Sequence, residues 1–338
     1  MRDFICPHCG NRLAFENSVC LQCENNIGFD LDGFGFAVVA PDGLSTGAGA
    51  AADVKLRMCA NLHVAECNWL VPADSASGLC RSCRLTRTRP SDEDAVAIPE
   101  FGEAEKAKRR LVAELTELGL PIVGRDEDPE NGLCFDLLSS EHEPVTTGHA
   151  DGVITLDLAE SDDVHREQLR VSMAEPYRTV LGHFRHEIGH YYNFVLAYEG
   201  EARQRFEALF GNPDDDYQAA LDRHYSQGAP AGWEENYISA YATMHPTEDW
   251  AETFAHYLHI RDTIDTSAAF GVAPAGATLE KPLAGDAGFQ HIIDIWLPLS
   301  WALNMINRSM GQPDLYPFVL PPVVLDKMRL VHGLVAAA

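Results

Sequence analysis

Basic side chains are scarce in this sequence of 338 residues. The 25 Lys and Arg residues face 51 Asp and Glu residues, which gives a formal net charge of −26. A surface of this charge repels a phosphate backbone unless its basic residues are strongly clustered. The composition therefore argues against general nucleic-acid binding.

Long apolar runs are also lacking. No stretch approaches the roughly 18 uninterrupted apolar residues that would cross a bilayer. The first residues, Met-Arg-Asp-Phe-Ile-Cys-Pro, contain no apolar segment followed by a small-residue cleavage site. We therefore expect a soluble, cytoplasmic protein that does not interact with membranes, and its 46% hydrophobic content suffices for a sizeable core.

Cysteine is almost absent from the later part of the chain, where only Cys134 follows Cys83. The other cysteines lie before residue 84 and include three CxxC pairs, so metal binding is a better interpretation than disulfide formation. Cys134 stands in the apolar run Leu-Cys-Phe, and we expect it to be a buried core residue.

The first cysteine cluster consists of two CxxC pairs, Cys6 with Cys9 and Cys20 with Cys23. Each pair lets two thiolates converge on one ion from a tight turn, and two such turns complete a closed tetrahedral site. Closed sites leave no position for water, so this pattern predicts a structural zinc ribbon.

The second cluster contains Cys59, Cys67, Cys80 and Cys83. We favour these four cysteines as a second structural zinc site, because a thiolate left free beside zinc would be reactive. His63 lies between the first two and could replace either of them.

A small domain with little core of its own needs such metal sites to fold. Turn and charge signals in Thr88–Asp94 indicate a linker, so we predict a zinc-ribbon domain over 1–90 and a second domain over 91–338. The ribbon could recruit a protein partner. The basic residues Arg81, Arg84, Arg87 and Arg89 could serve this purpose, or could form a solvated face that pairs with acidic parts of the chain.

The segment from His186 to His190 contains an HExxH motif. On a helix, His186 and His190 project from one face and can bind one Zn²⁺, while Glu187 stands beside a metal-bound water that it can deprotonate. Chance can supply so short a motif, so its context has to decide. Pro176 suits a first helical turn, and an apolar stripe accompanies the motif at three-to-four spacing: Val180, Phe184, Ile188, Tyr191 and Val195.

A catalytic zinc needs a third protein ligand. The metzincin continuation Gly-x-x-His is absent after His190, where the chain has Tyr-Tyr-Asn-Phe-Val-Leu. Glu248 and Glu252 lie one turn apart on a later, mostly apolar helix; we favour Glu248 as the ligand and Glu252 as a residue that orients a ligand histidine, although the two could exchange roles. Other possible ligands in this region are His245, His256 and His259.

The remaining patterns predict helices over about 103–118, 289–310 and 322–331, and strands over 35–40, 133–138 and 152–158. The last strand could bind an extended substrate at a sheet edge, although an ordinary core strand is the favoured interpretation. The predicted fold class is α+β: a small β zinc-ribbon domain with two zinc sites, followed by a mostly helical domain with a small sheet.

Two resemblances rest on these motifs. Tyr241 precedes Glu248 by seven residues, and this Tyr-x₆-Glu-x₃-Glu pattern after His-Glu-Ile-Gly-His resembles the gluzincin site of anthrax lethal factor. Over most of its length the chain resembles a bacterial family of zinc-binding metallopeptidases with an N-terminal zinc ribbon. The segments that carry this resemblance are 6–23, 67–72, 175–192, 248–260 and 307–318.

The resemblance to lethal factor implies that Tyr241 donates its phenol O–H to the developing oxyanion. The predicted function is zinc-dependent hydrolysis of a peptide or isopeptide bond in a protein or peptide substrate, with one catalytic and two structural Zn²⁺ ions. Two alternatives stay open: an interaction adaptor whose C-terminal zinc is only structural, and a zinc hydrolase of a non-peptide amide.

Overall fold

A computed structural model describes residues 2–47, 54–141, 144–162, 166–168, 178–274, 277 and 284–338. Its described residues form two compact units, one comprising Met1–Glu114 with Val123–Arg166 and the other Leu115–Ile122 with Glu167–Ala338. The predicted fold class is confirmed, because small sheets with two groups of four cysteines precede a mostly helical region.

The first unit contains short strands in four sheets. Strands β1 and β2 pair, as do β3 and β4, while β5, β6 and β7 form a three-stranded sheet and the fourth sheet has the order β10-β11-β9-β8. Their bounds are β1 Phe4–Ile5, β2 Arg12–Leu13, β3 Ile27–Asp30, β4 Gly35–Val38, β5 Leu44–Thr46, β6 Lys55–Met58, β7 Leu70–Pro72, β8 Thr86–Thr88, β9 Cys134–Leu138, β10 Gly148–Ala150 and β11 Val153–Asp157.

Aromatic side chains from the N-terminal part of the first unit pack against one another. The Phe29 ring lies 4.9 Å from that of Phe15 and 5.6 Å from that of Trp69, measured between centroids, and all three side chains are buried. A handful of aromatic residues therefore supplies the apolar core that these two- to four-residue strands are too short to build by themselves.

The strand predicted over 152–158 is an interior strand. β11 pairs antiparallel with β10 and parallel with β9. The hypothesis that it binds substrate at a free sheet edge is therefore wrong, because both of its edges are already hydrogen-bonded, and the core-strand interpretation is confirmed. Cys134 is buried in β9, as expected.

Most of the basic patch is paired within its own unit. Arg84 contacts Asp126 at 3.5 Å, the Arg87 Nε donates to Asp136 at 3.0 Å, and Arg89 pairs with Asp92. These contacts favour the interpretation in which the patch pairs with acidic parts of the chain.

The helices are α1 Arg81–Arg84, α2 Ala97–Leu118, α3 Val180–Ala197, α4 Gly200–Phe210, α5 Tyr217–Gln227, α6 Pro246–Ala269, α7 Gly285–Ser309 and α8 Pro322–Ala337. The helix predicted over 103–118 begins six residues earlier, because the Asp94 carboxylate accepts a hydrogen bond from the Ala97 N–H, and Pro99 lies in the first turn, where no N–H is needed. Gly119 ends it with a φ of 74°, as expected.

The second unit is built around the packing of α3 against α6. Phe184 and Ile188 of α3 and Trp250 and Phe254 of α6 are fully buried. α3 begins after Thr179, whose side chain accepts a hydrogen bond from the Gly182 N–H; Pro176, the residue suggested for its first turn, lies outside the described residues. α8 is tied to α6 by a buried ion pair between Lys327 and Asp249, 2.5 Å apart.

Candidate metal centres and active site

The first group of cysteines lies on two knuckles between the short strands. The Sγ atoms of Cys6 and Cys23 are 3.8 Å apart, and those of Cys9 and Cys20 are 3.6 Å apart. A tetrahedral zinc with Zn–S bonds of about 2.3 Å separates its sulfur ligands by about 3.8 Å. The four thiol groups therefore fit one zinc ion.

The local chain explains this geometry. Gly10 and Glu24, each directly after a CxxC pair, adopt left-handed φ values of 74° and 58°, so that each knuckle turns back on itself. Their N–H groups donate to the carbonyls of Cys6 and Cys20. Hydrogen bonding from the Cys23 N–H lowers the pKa of Cys20 to about 6, which favours the thiolate that zinc requires.

The second group comprises Cys59, Cys67, Cys80 and Cys83, all buried, with their ligand atoms within 4.8 Å of one another. The Cys67 and Cys80 sulfur atoms are 3.6 Å apart, and the Cys59 sulfur accepts a hydrogen bond from the Cys80 N–H at 3.3 Å. His63 is exposed and does not belong to this group. The geometry thus favours the four-cysteine set.

The third group of candidate metal ligands comes from two helices. His186 and His190 lie one turn apart on α3, with their Nε2 atoms 3.3 Å from each other. Glu248 comes from the first turn of α6; its Oε2 lies 3.0 Å from His186 Nε2, and its Oε1 lies 3.4 Å from His190 Nε2. Ligands at about 2.0–2.1 Å from a tetrahedral zinc are about 3.3–3.4 Å apart, so these three side chains fit a single zinc ion.

A glycine in the motif allows this close approach of α3 and α6. A Cβ on Gly189 would lie only 2.9 Å from the Cα and 3.1 Å from the carbonyl oxygen of Ala251. The Trp250 indole N–H also donates to the Gly189 carbonyl oxygen at 2.8 Å. Small residues at the crossing therefore bring Glu248 to the histidines.

Glu252 contacts the opposite side of the His186 ring. Its Oε1 lies 2.7 Å from His186 Nδ1, whereas the Nε2 of that ring faces Glu248. A carboxylate that accepts a hydrogen bond from Nδ1–H keeps the proton on that nitrogen and leaves the Nε2 lone pair available for a metal. The structure thus gives Glu248 and Glu252 different neighbours, which the sequence could not do.

Glu187 is buried beside the histidine pair. Its Oε1 lies 3.4 Å from His183 Nε2, and its Oε2 has no hydrogen-bond partner among the described residues. Burial raises its pKa, but the hydrogen bond from His183 and the neighbouring histidine charges outweigh burial and hold the pKa below the usual value. An ionised carboxylate with an unpaired buried oxygen suits a group that binds water and accepts its proton.

Two tyrosines lie near the third group of side chains. Tyr241, on the 3₁₀ helix Tyr241–Thr243, has its ring centroid 6.0 Å from that of His186, and burial raises its pKa, so that its phenol keeps its proton. Tyr217 was not among the residues expected from sequence. Its hydroxyl donates to Glu248 Oε1 at 2.9 Å, and no motif or spacing links these two residues.

The other histidines suggested as ligands have different neighbours. His245 caps α6 by accepting the Thr247 N–H, and its Nε2 lies 3.0 Å from the Asp215 carbonyl oxygen. His256 lies 2.9 Å from the Tyr316 hydroxyl, while the His259 ring packs against Tyr316 and Trp296. None of the three belongs to the metal-ligand groups found among the described residues.

Comparison with known proteins identifies the family of this chain. The chain belongs to the family described as "Putative zinc-binding metallo-peptidase", whose model matches residues 97–334. A zinc-ribbon domain model matches residues 3–94. Family membership supports zinc binding and a metallopeptidase role, which implies peptide substrates.

The chain is also similar to proteins of two mycobacteria. Uncharacterized protein Rv2568c of Mycobacterium tuberculosis and uncharacterized protein Mb2598c of Mycobacterium bovis are each 63% identical to it over 336 residues, which cover 99% of this chain and 95% of each relative. No solved structure matches the chain. None of the helices in the described part of the chain combines the length and apolar content needed to cross a membrane.

Proposed function

We propose that this protein is a gluzincin-type zinc metallopeptidase that hydrolyses a peptide or isopeptide bond. His186, His190 and Glu248 would hold the catalytic zinc. The observation that carries the proposal is the buried Oε2 of Glu187, which has no hydrogen-bond partner in the part of the chain that the structure describes, beside three side chains whose ligand atoms fit one tetrahedral ion. A purely structural zinc site has no use for such a base.

When bound, zinc would polarise the substrate carbonyl and lower the pKa of its water toward about 7. Glu187 takes the proton of the attacking water on Oε2 and delivers it to the nitrogen of the leaving amine. Glu252 accepts a hydrogen bond from the Nδ1–H group of His186 and so fixes the orientation of that ring. Tyr241 keeps its phenol proton and donates a hydrogen bond to the oxyanion.

The cysteine groups would hold two structural zinc ions, giving three ions per chain. The limits of the two family models, 3–94 and 97–334, support the proposed domains over 1–90 and 91–338. A cytoplasmic location is part of the proposal, because both cysteine groups require reduced thiols. The zinc-ribbon domain would be the part of the chain that recruits a protein partner.

The test is the Glu187→Gln variant, which keeps the shape of the side chain but removes its basicity. We expect zinc content and fold to be retained and peptide hydrolysis to fall by about 10²–10⁴-fold. Cleavage is followed by mass spectrometry on a proteome-derived peptide library. Glu201→Gln, an exposed change in the first turn of α4, is the matched control and should keep full activity.

Other outcomes point to the alternatives. If the wild-type protein binds zinc at this site but cleaves no peptide, and its zinc lacks an exchangeable water, the adaptor function replaces the peptidase. If it cleaves acylated amines or other small amides and Glu187→Gln abolishes this activity, the residue roles stand and the substrate is a non-peptide amide.

A further inference from the structure

The two oxygens of the Glu248 carboxylate have different neighbours. Oε2 lies 3.0 Å from His186 Nε2. Oε1 lies 3.4 Å from His190 Nε2 and accepts the Tyr217 hydroxyl at 2.9 Å. The Glu248 side chain is almost completely buried, so this phenol is a specific partner for one oxygen of a carboxylate that water barely reaches.

Tyr217 comes from a different element than the three candidate ligands. It is the first residue of α5, whose N-terminus is capped by Asp216 through a 3.0 Å hydrogen bond from the Ala219 N–H. A long glutamate side chain with several rotatable bonds is thus contacted by a phenol whose position is set by a capped helix end.

The N-terminal end of α5 is in turn fastened to the N-terminal end of α6. His245, the N-cap of α6, has its Nε2 3.0 Å from the Asp215 carbonyl oxygen, and its ring packs 5.2 Å from that of Tyr217. The Arg223 guanidinium donates to the Met244 carbonyl oxygen at 3.1 Å. The residues before Glu248 and those around Tyr217 therefore hold each other in place.

We infer that Tyr217 is a positioning residue that orients Glu248 as a metal ligand. This inference rests on the proposed function in so far as Glu248 binds zinc. A hydrogen bond to a carboxylate is among the stronger ones, and partners that orient metal ligands contribute to metal affinity because the free ligand loses less freedom on binding.

The two tyrosines of the site then have different roles. Tyr217 acts through Glu248 and is expected to change how tightly zinc is held. Tyr241 is assigned to the substrate oxyanion and is expected to change turnover. Removal of each hydroxyl should therefore affect a different measured constant.

The experiment uses Tyr217→Phe in the full-length protein and measures the zinc affinity of the third site by competition with a chromophoric chelator. We expect a 10–100-fold weaker affinity, the range typical of lost partners of metal ligands. Excess zinc should restore most of the turnover. The two cysteine sites are internal references, because their zinc should not change.

Tyr225→Phe is the matched control, since it removes a hydroxyl from an exposed tyrosine on the same helix. Its zinc affinity should stay within about twofold of wild type. Circular dichroism of both variants verifies the fold, and only about half of the Tyr217 side chain is buried, so its replacement by Phe should be tolerated.

Three results would overturn the inference, and they differ from one another. Unchanged affinity and turnover in Tyr217→Phe would show that the hydrogen bond has no positioning role. Unchanged affinity with a loss of kcat at saturating zinc would make Tyr217 a catalytic residue. If the His186→Ala variant contains as much zinc as the wild-type protein, the third metal site is wrong, and the proposed function with it.

Discussion

At the scale of single residues, two chemically identical glutamate side chains of the site differ in the atoms that they contact. Glu248 and Glu252 are one turn apart on α6, yet Glu248 faces the Nε2 atoms of both histidines while Glu252 faces the Nδ1 of His186. Because a histidine can donate from one nitrogen and bind a metal through the other, both carboxylates can act on the same ring without competing.

Burial of His256 predicts a dependence of stability on pH. Burial lowers its pKa to about 4, against about 6.5 in the unfolded chain. Between these values the unfolded state binds the proton more readily, so this contribution to stability is lost as the pH falls from about 6.5 to 4. We expect the stability of His256→Gln to fall less steeply than that of the wild-type protein over this pH window. Urea unfolding midpoints of the zinc-loaded proteins measure this difference, and equal slopes for the two proteins would contradict the prediction.

At the scale of elements, the site depends on the crossing of α3 and α6. Each helix presents its proposed ligands by its own periodicity, but Glu248 reaches His186 and His190 only because Gly189 and Ala251 leave room between the backbones. The ion pair between Lys327 of α8 and Asp249 fixes the first turn of α6, directly beside Glu248.

This crossing predicts the effect of Gly189→Ala. The new Cβ would meet backbone atoms of Ala251, which cannot rotate away as a side chain could, so we expect a loss of about 1–3 kcal/mol in stability together with weaker zinc binding at the third site. Chemical unfolding and chelator competition measure both effects.

The control is Gly333→Ala in α8, where nothing lies within 4 Å of the added Cβ. Alanine is the better helix former, so this variant should be equally stable or gain up to about 1 kcal/mol. Equal effects of the two substitutions would show that the α3–α6 spacing does not limit the site.

At the scale of the whole molecule, each of the two units is stabilised in its own way. The first has short strands, a cluster of aromatic rings and two groups of four cysteines. The second has long helices with many buried apolar side chains and, among its described residues, one group of candidate metal ligands. Zinc is therefore expected to supply stability in the first unit and chemistry in the second.

These arrangements predict three zinc ions per wild-type chain and two in Glu248→Ala. Atomic emission on protein of known concentration measures both values. Closed cysteine sites should also retain their zinc against a mild chelator that empties the third site. A wild-type value of two or fewer would remove one of the three assigned groups.

Features that depend on neighbouring residues could be predicted before the fold was known. Chain spacing alone indicated the CxxC knuckles, the helix that carries His186 and His190, and the end of α2 at Gly119, because turns and helices are set by short-range sterics and hydrogen bonds. The small β region followed by a mostly helical one was predicted for the same reason.

The tertiary structure decided between the alternatives that the sequence left open for contacts between distant segments. It distinguished Glu248 from Glu252, left His63 outside the second cysteine group, placed β11 between two strands and brought Tyr217 to Glu248. No local pattern encodes these contacts, since they follow from the packing of helices and strands far apart in sequence. The sequence by itself determined which side chains could bind zinc, and only the fold determined which of them meet.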